Sequence, residues 1–336
     1  MLKKELGLLL LILAVGAITG AINPQFLSQV NLMNLANQIG LFGLISIGVG
    51  LVIITGGIEL SVGSMFALLG IVFLDLLINH DIAWPAALAA TVLGGTALGT
   101  VHGVLVTRLK MQPFVVTLCG LLLYRGIARW YTADSTQGFG YGGGYEILEW
   151  LMSGRTYGVP HTFMFLVLVA VVMGVVLHRS VYGRYLFAVG KNEEAARYSG
   201  IPTKAVITAA YMIAGTLAGL SSVFFVFYTQ SVSPSAHGNF YELYAIAAAV
   251  LGGCSLRGGE GSIIGIVLGT VLLQVLQNLV NMLGIPSSLN FAVMGAVILL
   301  GVLADQQLQR RRQLKLARAG AEARRFARGE SAGAAA

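Results

Sequence analysis

The chain has 336 residues, of which 56% are hydrophobic and 10% charged, with a formal net charge of +7. Soluble domains usually carry about 25% charged residues, so this composition excludes an ordinary soluble fold. A membrane-spanning helix needs roughly 20 mainly apolar residues, and such stretches follow one another along the whole sequence. The sequence therefore predicts an all-α, polytopic membrane protein.

Uncharged apolar runs predict a helical bundle of about ten transmembrane helices. The run at 241–253 is short, which favours a broken or re-entrant segment there. Residues 1–304 form the predicted transmembrane domain. The predicted spans are residues 6–23, 35–56, 63–79, 85–107, 113–131, 161–178, 205–228, 241–253, 262–283 and 289–304.

Lysine and arginine collect where the predicted spans leave one side of the membrane. They occur at Lys3 and Lys4, after the fourth span, in the loop 179–204, and in the segment 305–336. Because short basic loops stay in the cytoplasm, both termini are predicted to be cytoplasmic, in a protein of the cell inner membrane. The basic tail, 305–336, follows the last span, which favours binding to anionic membrane lipid over nucleic acid.

Glycine is unusually common, with 44 residues. In lipid, helices associate by close backbone approach through small residues four positions apart. That spacing predicts two helix-contact faces. They are Gly95, Gly99 and Gly103 in one helix, and Gly261, Gly265 and Gly269 in another.

Two segments, 56–64 and 252–262, share a pattern of a double glycine, a leucine and then Gly-Ser before an apolar run. Glycines at membrane depth imply broken helices, which are tolerated where protein or a water-filled cavity satisfies the backbone. Transport paths often lie at such breaks. The path is predicted to include Gly56, Gly57, Glu59, Ser61, Gly252 and Gly253.

Three carboxylates, Glu59, Asp75 and Glu242, lie in or beside apolar runs. A carboxylate at mid-bilayer costs about 2.5 to 3.5 kcal/mol, so each should face a cavity or a partner. Arg125 and Arg129 are candidate partners, although their side chains could equally extend to the membrane interface. The sequence is compatible both with carboxylates that line the path and with carboxylates that pair inside the protein.

Amide side chains recur at helical spacing near both ends of the sequence. Amides donate and accept hydrogen bonds, which suits neutral, hydroxyl-rich solutes better than ions. They could equally hold helices together. The amides assigned to the predicted path are Asn34, Gln38, Gln274, Gln277 and Asn281, beside Asn31 and Asn278.

The loop 179–204 contains a short predicted helix. Asn192 can cap it, Glu193 and Glu194 favour its first turn, and Gly200 ends it. One interpretation is a surface helix between spans; the other is a coupling helix that contacts a separate ATPase. The candidate coupling residues are Gly190, Asn192, Glu193, Glu194, Ala195, Ala196 and Gly200.

Catalytic and cofactor motifs are not evident in the sequence. Gly190-Lys191 is followed by Asn192, where a phosphate-binding loop needs Ser or Thr. The five histidines are scattered singly, without metal-ligand spacing. We therefore expect no enzyme activity, no cofactor and no metal.

Aromatic residues are concentrated in the predicted outer stretch, 130–150. Aromatic side chains at a membrane boundary usually act as interfacial anchors, and here they would also form a docking surface for an outer partner. The residues concerned are Trp130, Tyr131, Phe139, Tyr141, Tyr145 and Trp150.

The segments 55–64, 113–118 with Arg125-Gly126, 190–201 and 252–262 together resemble the permease subunits of ribose-type monosaccharide ABC importers. The similarity covers residues 31–304. It implies translocation of a pentose or hexose, a second permease copy in a homodimer or heterodimer, a cytoplasmic sugar-import ATPase and a periplasmic sugar-binding protein. Many relatives carry Asp where this chain has Glu59. The alternative is an ion-coupled secondary transporter of a small polar solute, which the membrane carboxylates favour.

Overall fold

A computed structural model describes residues 2–140 and 143–286, together with isolated positions between 289 and 299. The chain divides into two units, Met1–Pro286 and Ser287–Ala336. Most of the predicted span 289–304 and the whole tail 305–336 lie outside the described residues.

The first unit is built from helices. In chain order they are α1 (Leu2–Ile22), α2 (Gln29–Ile54), α3 (Val62–Leu74), α4 (Trp84–Thr107), α5 (Pro113–Tyr131), α6 (Glu146–Ser153), α7 (His161–Arg179), α8 (Val181–Lys191), α9 (Glu193–Tyr198), α10 (Thr203–Thr229), α11 (Tyr241–Leu251) and α12 (Ile263–Met282). A 3-10 turn, Pro24–Leu27, precedes α2, and a π-helical turn, Asp75–Asn79, extends α3.

Two small antiparallel pairs complete the described architecture. Strand β1 (Gln137–Gly138) pairs with β4 (Ser231–Val232), and β2 (Arg155–Thr156) pairs with β3 (Val159–Pro160). Each strand has only two residues. The prediction of a helical fold is therefore confirmed for the described residues.

Among the described residues, seven helices are long and apolar enough to cross a membrane: α1, α2, α3 with its π-helical turn, α4, α7, α10 and α12. The count of about ten is not confirmed. Helix α5 has 19 residues, but it carries Arg125 and Arg129 in its second half. Helix α11 has 11 residues, or about 16 Å at 1.5 Å per residue, against a hydrocarbon core of about 30 Å. Its length matches the predicted broken or re-entrant segment.

Helix α2 lies at the centre of the unit, and every residue from 39 to 54 is buried. Helices α7, α10, α11 and α12 pack around it. Helix α4 packs on α10 through the predicted glycine face, where a Cβ on Gly103 would lie 2.6 Å from Thr208 Cα. The second predicted face is confirmed for Gly265 and Gly269, where a Cβ would overlap the Gly252 and Ala248 carbonyls, but Gly261 precedes α12 and is not part of that helix.

The basic loops meet at one end of the first unit, called here the coupling end and formed by residues 108–112, 179–204 and 252–262. Lys110, Glu193 and Lys204 line a common cavity there. Glu5 of α1 lines a second cavity with His178. The opposite end, called here the outer end, consists of residues 80–83, 132–140, 143–160 and 230–240.

The described aromatic residues of the outer end include two groups, and Tyr141 lies outside the described residues. Trp130 and Trp150 are 80% and 59% exposed, as interfacial anchors should be. The prediction is wrong for Phe139 and Tyr145, which are buried, with the Phe139 and Phe227 ring centroids 4.8 Å apart. Packing on α10 reduces their exposure, so they cannot form an outer docking surface.

Candidate functional site: two helix breaks and a capped helix

The first helix break lies between α2 and α3, at residues 55–61. Gly56 adopts a φ of 85°, a left-handed conformation that favours glycine. The carbonyl of Ile58 lies outside the helices and accepts hydrogen bonds from Thr117 Oγ1 at 3.3 Å and from Tyr211 OH at 3.1 Å. Protein side chains therefore satisfy the broken backbone, as the environment of a membrane requires.

Glu59 lies inside this break and is only 2% exposed. The Ser61 backbone N–H and hydroxyl both donate to Glu59 Oε1 at 2.7 Å. His102 Nδ1 of α4 lies 3.1 Å from Glu59 Oε2, and Tyr124 OH of α5 lies 2.8 Å from His102 Nε2. The chain Ser61, Glu59, His102 and Tyr124, called here the buried network, joins the break to two neighbouring helices.

Arg125 and Arg129, the candidate partners suggested by the sequence, bind groups other than Glu59. Arg125 Nη1 donates to the carbonyls of Pro234 at 2.9 Å and His237 at 2.7 Å. Arg129 forms an ion pair with Asp134 at 2.6 Å. Helical spacing places His102 near the glycine face of α4. This spacing alone does not predict that His102 contacts Glu59, because it says nothing about which segment packs against α4.

The other two membrane carboxylates also lie against protein groups. Asp75 Oδ2 accepts a hydrogen bond from Tyr131 OH at 2.7 Å, and Asp75 Oδ1 accepts one from Asn79 at 2.8 Å. Glu242 is 7% exposed. Its carboxylate packs on α3 so closely that a Cβ on Gly63 would lie 2.5 Å from Glu242 Oε2.

The second helix break lies between α11 and α12, at residues 252–262. Gly253 adopts a φ of 94°. Ser262 caps α12 by accepting from the Gly265 N–H at 2.9 Å, and its hydroxyl donates to Glu5 at 2.6 Å. A cavity of about 470 Å³ borders this break. It is lined by Glu5, His178, Phe187, Gly252, Gly253, Gly259, Glu260, Gly261 and Ser262.

The predicted short helix of the coupling loop is confirmed as α9. Asn192 Oδ1 accepts a hydrogen bond from the Ala195 N–H at 2.9 Å, and Gly200, with a φ of 82°, follows its end. Ala196 is 5% exposed, whereas Tyr198 is 82% exposed. Helix α9 is therefore attached through Ala196 and leaves its other faces free.

The first break and α9 share a cavity of about 440 Å³. Its walls come from four elements: the break, the connection between α4 and α5, α9 and the start of α10. The structure thus brings predicted path residues and predicted coupling residues together. Those that line this cavity are Gly56, Gly57, Glu193 and Glu194.

The amides lie elsewhere, towards the outer ends of α2 and α12. Asn31 and Asn278 exchange hydrogen bonds of 3.2 and 2.8 Å, so this pair joins the two helices. Gln38 lies 16 residues before Ile54 in α2, or about 24 Å along the helix. Within one chain, the amides and the glycine breaks are therefore not brought together.

The amides of the predicted path differ in exposure. Gln274 is 4% exposed, and Gln277 and Gln38 are half-buried. Gln38 Nε2 donates to Tyr228 OH at 3.2 Å. Asn34 and Asn281 are exposed. Within the described part of the chain, no group of three or more His, Cys, Asp or Glu side chains could hold a metal ion.

Helices broken beside cavities, together with an exposed capped helix between spans, define a membrane transport protein of the permease class. Residues 31–302 match the family described as the permease component of branched-chain amino acid transport systems, and the chain belongs to this family.

Individual relatives align over most of the chain. It is 38% identical to the ribose import permease protein of Escherichia coli K12 over 91% of this chain and 94% of that protein. It is 34% identical to the fructose import permease protein of Bifidobacterium longum over 76% of this chain and 72% of that protein. It is 32% identical to the D-allose transport system permease protein of E. coli K12 over 90% and 92% of the two chains. No solved structure matches the chain.

Proposed function

We propose that this protein is the permease subunit of an ABC importer that translocates a monosaccharide, a pentose or a hexose, across the cell inner membrane. The observation that carries the proposal is the similarity to the ribose import permease, which is 38% identical over 91% of this chain. Relatives named for fructose and allose support the same substrate class.

The site chemistry favours a neutral solute over an ion. Glu59 and Asp75, which an ion-coupled transporter could use, are each hydrogen-bonded to protein side chains. The amides of α2 and α12 can donate and accept hydrogen bonds with sugar hydroxyls. The ion-coupled alternative has no comparable support.

The distribution of charge supports a cytoplasmic coupling end and cytoplasmic termini. Short loops rich in lysine and arginine remain in the cytoplasm. The outer loops carry Arg155 with Asp81, Asp134, Glu146 and Glu149. The coupling-end loops carry eight basic residues against three acids, Glu193, Glu194 and Glu260. The basic residues are Arg108, Lys110, Arg179, Arg184, Lys191, Arg197, Lys204 and Arg257.

Three protein partners follow from this function. A cytoplasmic sugar-import ATPase contacts α9, whose exposed faces and Tyr198 suit docking, since tyrosine is frequent at the energetic centres of interfaces. A periplasmic sugar-binding protein docks on the outer end. A second permease copy completes a shared path, in which the amides of one or both chains lead to the glycine breaks.

Reconstitution tests the proposal directly. Two copies of the permease are placed in liposomes with a sugar-import ATPase and a sugar-binding protein, and uptake of labelled ribose, fructose and allose is measured. We expect uptake of at least one sugar that needs both ATP and the binding protein. Uptake driven by a proton or sodium gradient without ATP would instead establish the secondary transporter.

A further inference from the structure

Three separate segments of the chain meet at the coupling end without intervening side chains. The carbonyl of Ile54, the last residue of α2, accepts a hydrogen bond from the Gly259 N–H at 2.8 Å. Gly190, near the end of α8, lies against both groups, because a Cβ there would overlap Ile54 O and Gly259 N. The first break, the second break and α8 are thus in backbone contact.

Gly258, in the second break, packs against the same backbone groups. A Cβ on Gly258 would lie 2.7 Å from Gly190 O and 2.9 Å from Gly56 N. Distances below 3.0 Å to backbone atoms leave no flexible side chain to move aside, so the segments touch as rigid surfaces. We call Gly56, Gly190, Gly258 and Gly259 the glycine junction.

An ion pair lies beside the junction. Lys191 Nζ is 2.7 Å from Glu260 Oε1, and the two side chains are 58% and 53% exposed. An exposed pair of this kind contributes little to folding. It does, however, attach the last residue of α8 to the second break by a contact that can be removed without disturbing the core.

Gly190 of the glycine junction lies shortly before α9 in the sequence. Only Asn192 separates Lys191, the end of α8, from Glu193, the start of α9. Asn192 itself is fixed by its cap to Ala195. A force on α9 therefore reaches Gly190 through only two residues, Asn192 and Lys191.

We infer that the glycine junction and the Lys191–Glu260 pair are positioning residues for transport, holding both helix breaks to α8 so that a displacement of α9 moves the two breaks together. This inference rests on the proposed function, because it assigns α9 to the ATPase. The glycine junction would transmit the movement of α9 that accompanies ATP hydrolysis to both helix breaks.

The first test replaces Gly190 by alanine. Sugar uptake and ATP hydrolysis are measured in the same liposomes with the ATPase and binding protein. We expect the number of sugars imported per ATP hydrolysed to fall at least tenfold, while hydrolysis continues. Gly174→Ala is the matched control, since Gly174 is also helical but a Cβ there meets no atom within 4 Å.

The second test keeps the backbone unchanged and remains decisive if Gly190→Ala does not fold. Lys191→Glu and Glu260→Lys should each lower the ratio of uptake to hydrolysis severalfold. The double variant should restore that ratio to near the wild-type value. Because the pair is exposed, the thermal unfolding temperature should stay unchanged in all three variants.

The outcomes separate the two proposals. If the wild-type permease does not import a sugar with ATP, the proposed function fails. If the wild type imports normally and both charge variants keep the wild-type ratio, the importer stands and the role of the Lys191–Glu260 pair is overturned. A folded Gly190→Ala variant that keeps the wild-type ratio overturns the role of the glycine junction. A lowered ratio that the double variant does not restore also overturns the role of the ion pair.

Discussion

The buried side chain of Glu59 is stabilised by hydrogen bonds to its neighbours. It is 2% exposed and bonded to Ser61 and His102. A buried carboxylate without a partner would be strongly unfavourable, whereas a paired one can persist. The buried network therefore holds the first break against α4 and α5, and the extra methylene of Glu relative to Asp extends the carboxylate towards His102.

Removing one partner of this pair should be costly. We expect His102→Leu to lower the free energy of unfolding by about 1 to 3 kcal/mol, because Glu59 Oε2 loses its hydrogen-bond partner in a buried site. Thermal unfolding of the detergent-purified protein measures the change. The double variant Glu59→Gln/His102→Leu is the control and should recover part of the loss; equal loss in both variants would show that the pair is not the cause.

Glu59→Asp tests the length of the same side chain. Asp is one methylene shorter and should lose the 3.1 Å contact with His102 Nδ1. We therefore expect a lower unfolding temperature. An unfolding temperature equal to that of the wild type would contradict this role of the Glu59 side chain.

His237, in the outer loop before α11, should make stability depend on pH. Burial, reinforced by the positive charge of Arg125, lowers the pKa of His237 to about 4, below the ordinary value of about 6.5. Since the folded-state pKa is the lower one, the stabilisation is complete above pH 6.5 and is lost as pH falls through 4.

We expect the free energy of unfolding to fall by about 1 to 3 kcal/mol between pH 6.5 and 4 from this residue. Unfolding in detergent at a series of pH values measures the slope. His237→Phe removes the titrating group and should flatten the curve relative to the wild type. Parallel curves for the two proteins would show that His237 does not contribute.

At the scale of the element, α9 is a short helix with one attached face. Six residues are too few for an isolated helix to be stable in water, so its cap at Asn192 and the burial of Ala196 hold it in place. Substitutions at Ala195 and Ala196 should therefore have different effects on folding, because only Ala195 is exposed. A bulky residue at Ala196 would disturb the fold itself.

Exposed positions on α9 should affect the ATPase and not the fold. We expect Tyr198→Ala and Ala195→Arg each to lower ATP-dependent uptake at least tenfold, while the unfolding temperature stays unchanged. Uptake and copurification of the ATPase are the measurements, and Tyr157→Ala, a fully exposed residue at the other end, is the control. Normal uptake by both α9 variants would remove this surface from coupling.

At the scale of the whole molecule, the two ends of the bundle should face opposite compartments. In a background with Cys119 and Cys254 replaced by serine, we expect Tyr157→Cys to react with a membrane-impermeant thiol reagent in intact spheroplasts. Tyr198→Cys should react only in inverted vesicles. The reverse pattern would invert the proposed orientation and exclude α9 from contact with a cytoplasmic ATPase.

The shared path can be examined along α12 in the same background. We expect cysteine at 277 and 281 to react with a water-soluble thiol reagent. Cysteine at 274 should react only during turnover with ATP, because Gln274 is buried in this conformation. Cysteine at 278 is the control, since Asn278 is bonded to Asn31. Reaction without helical periodicity would place the path elsewhere.

The sequence alone determined the membrane class, the spans that are uniformly apolar, the glycine contact faces and the capped helix α9. Each depends on local composition, or on a spacing of three to four residues, which a single helix displays by itself. The repeated Gly-Gly pattern at 56–57 and 252–253 also located both breaks, because glycine readily adopts the left-handed conformation that Gly56 and Gly253 have there.

The tertiary structure alone decided which residues from distant segments meet. His102 pairs with Glu59, Phe139 enters the core, the amides lie at the outer ends of α2 and α12, and Gly190 touches both breaks. Helical periodicity gives the face on which a side chain lies, but not the helix opposite that face. That choice depends on how all the helices pack together around α2, where every residue from 39 to 54 is buried.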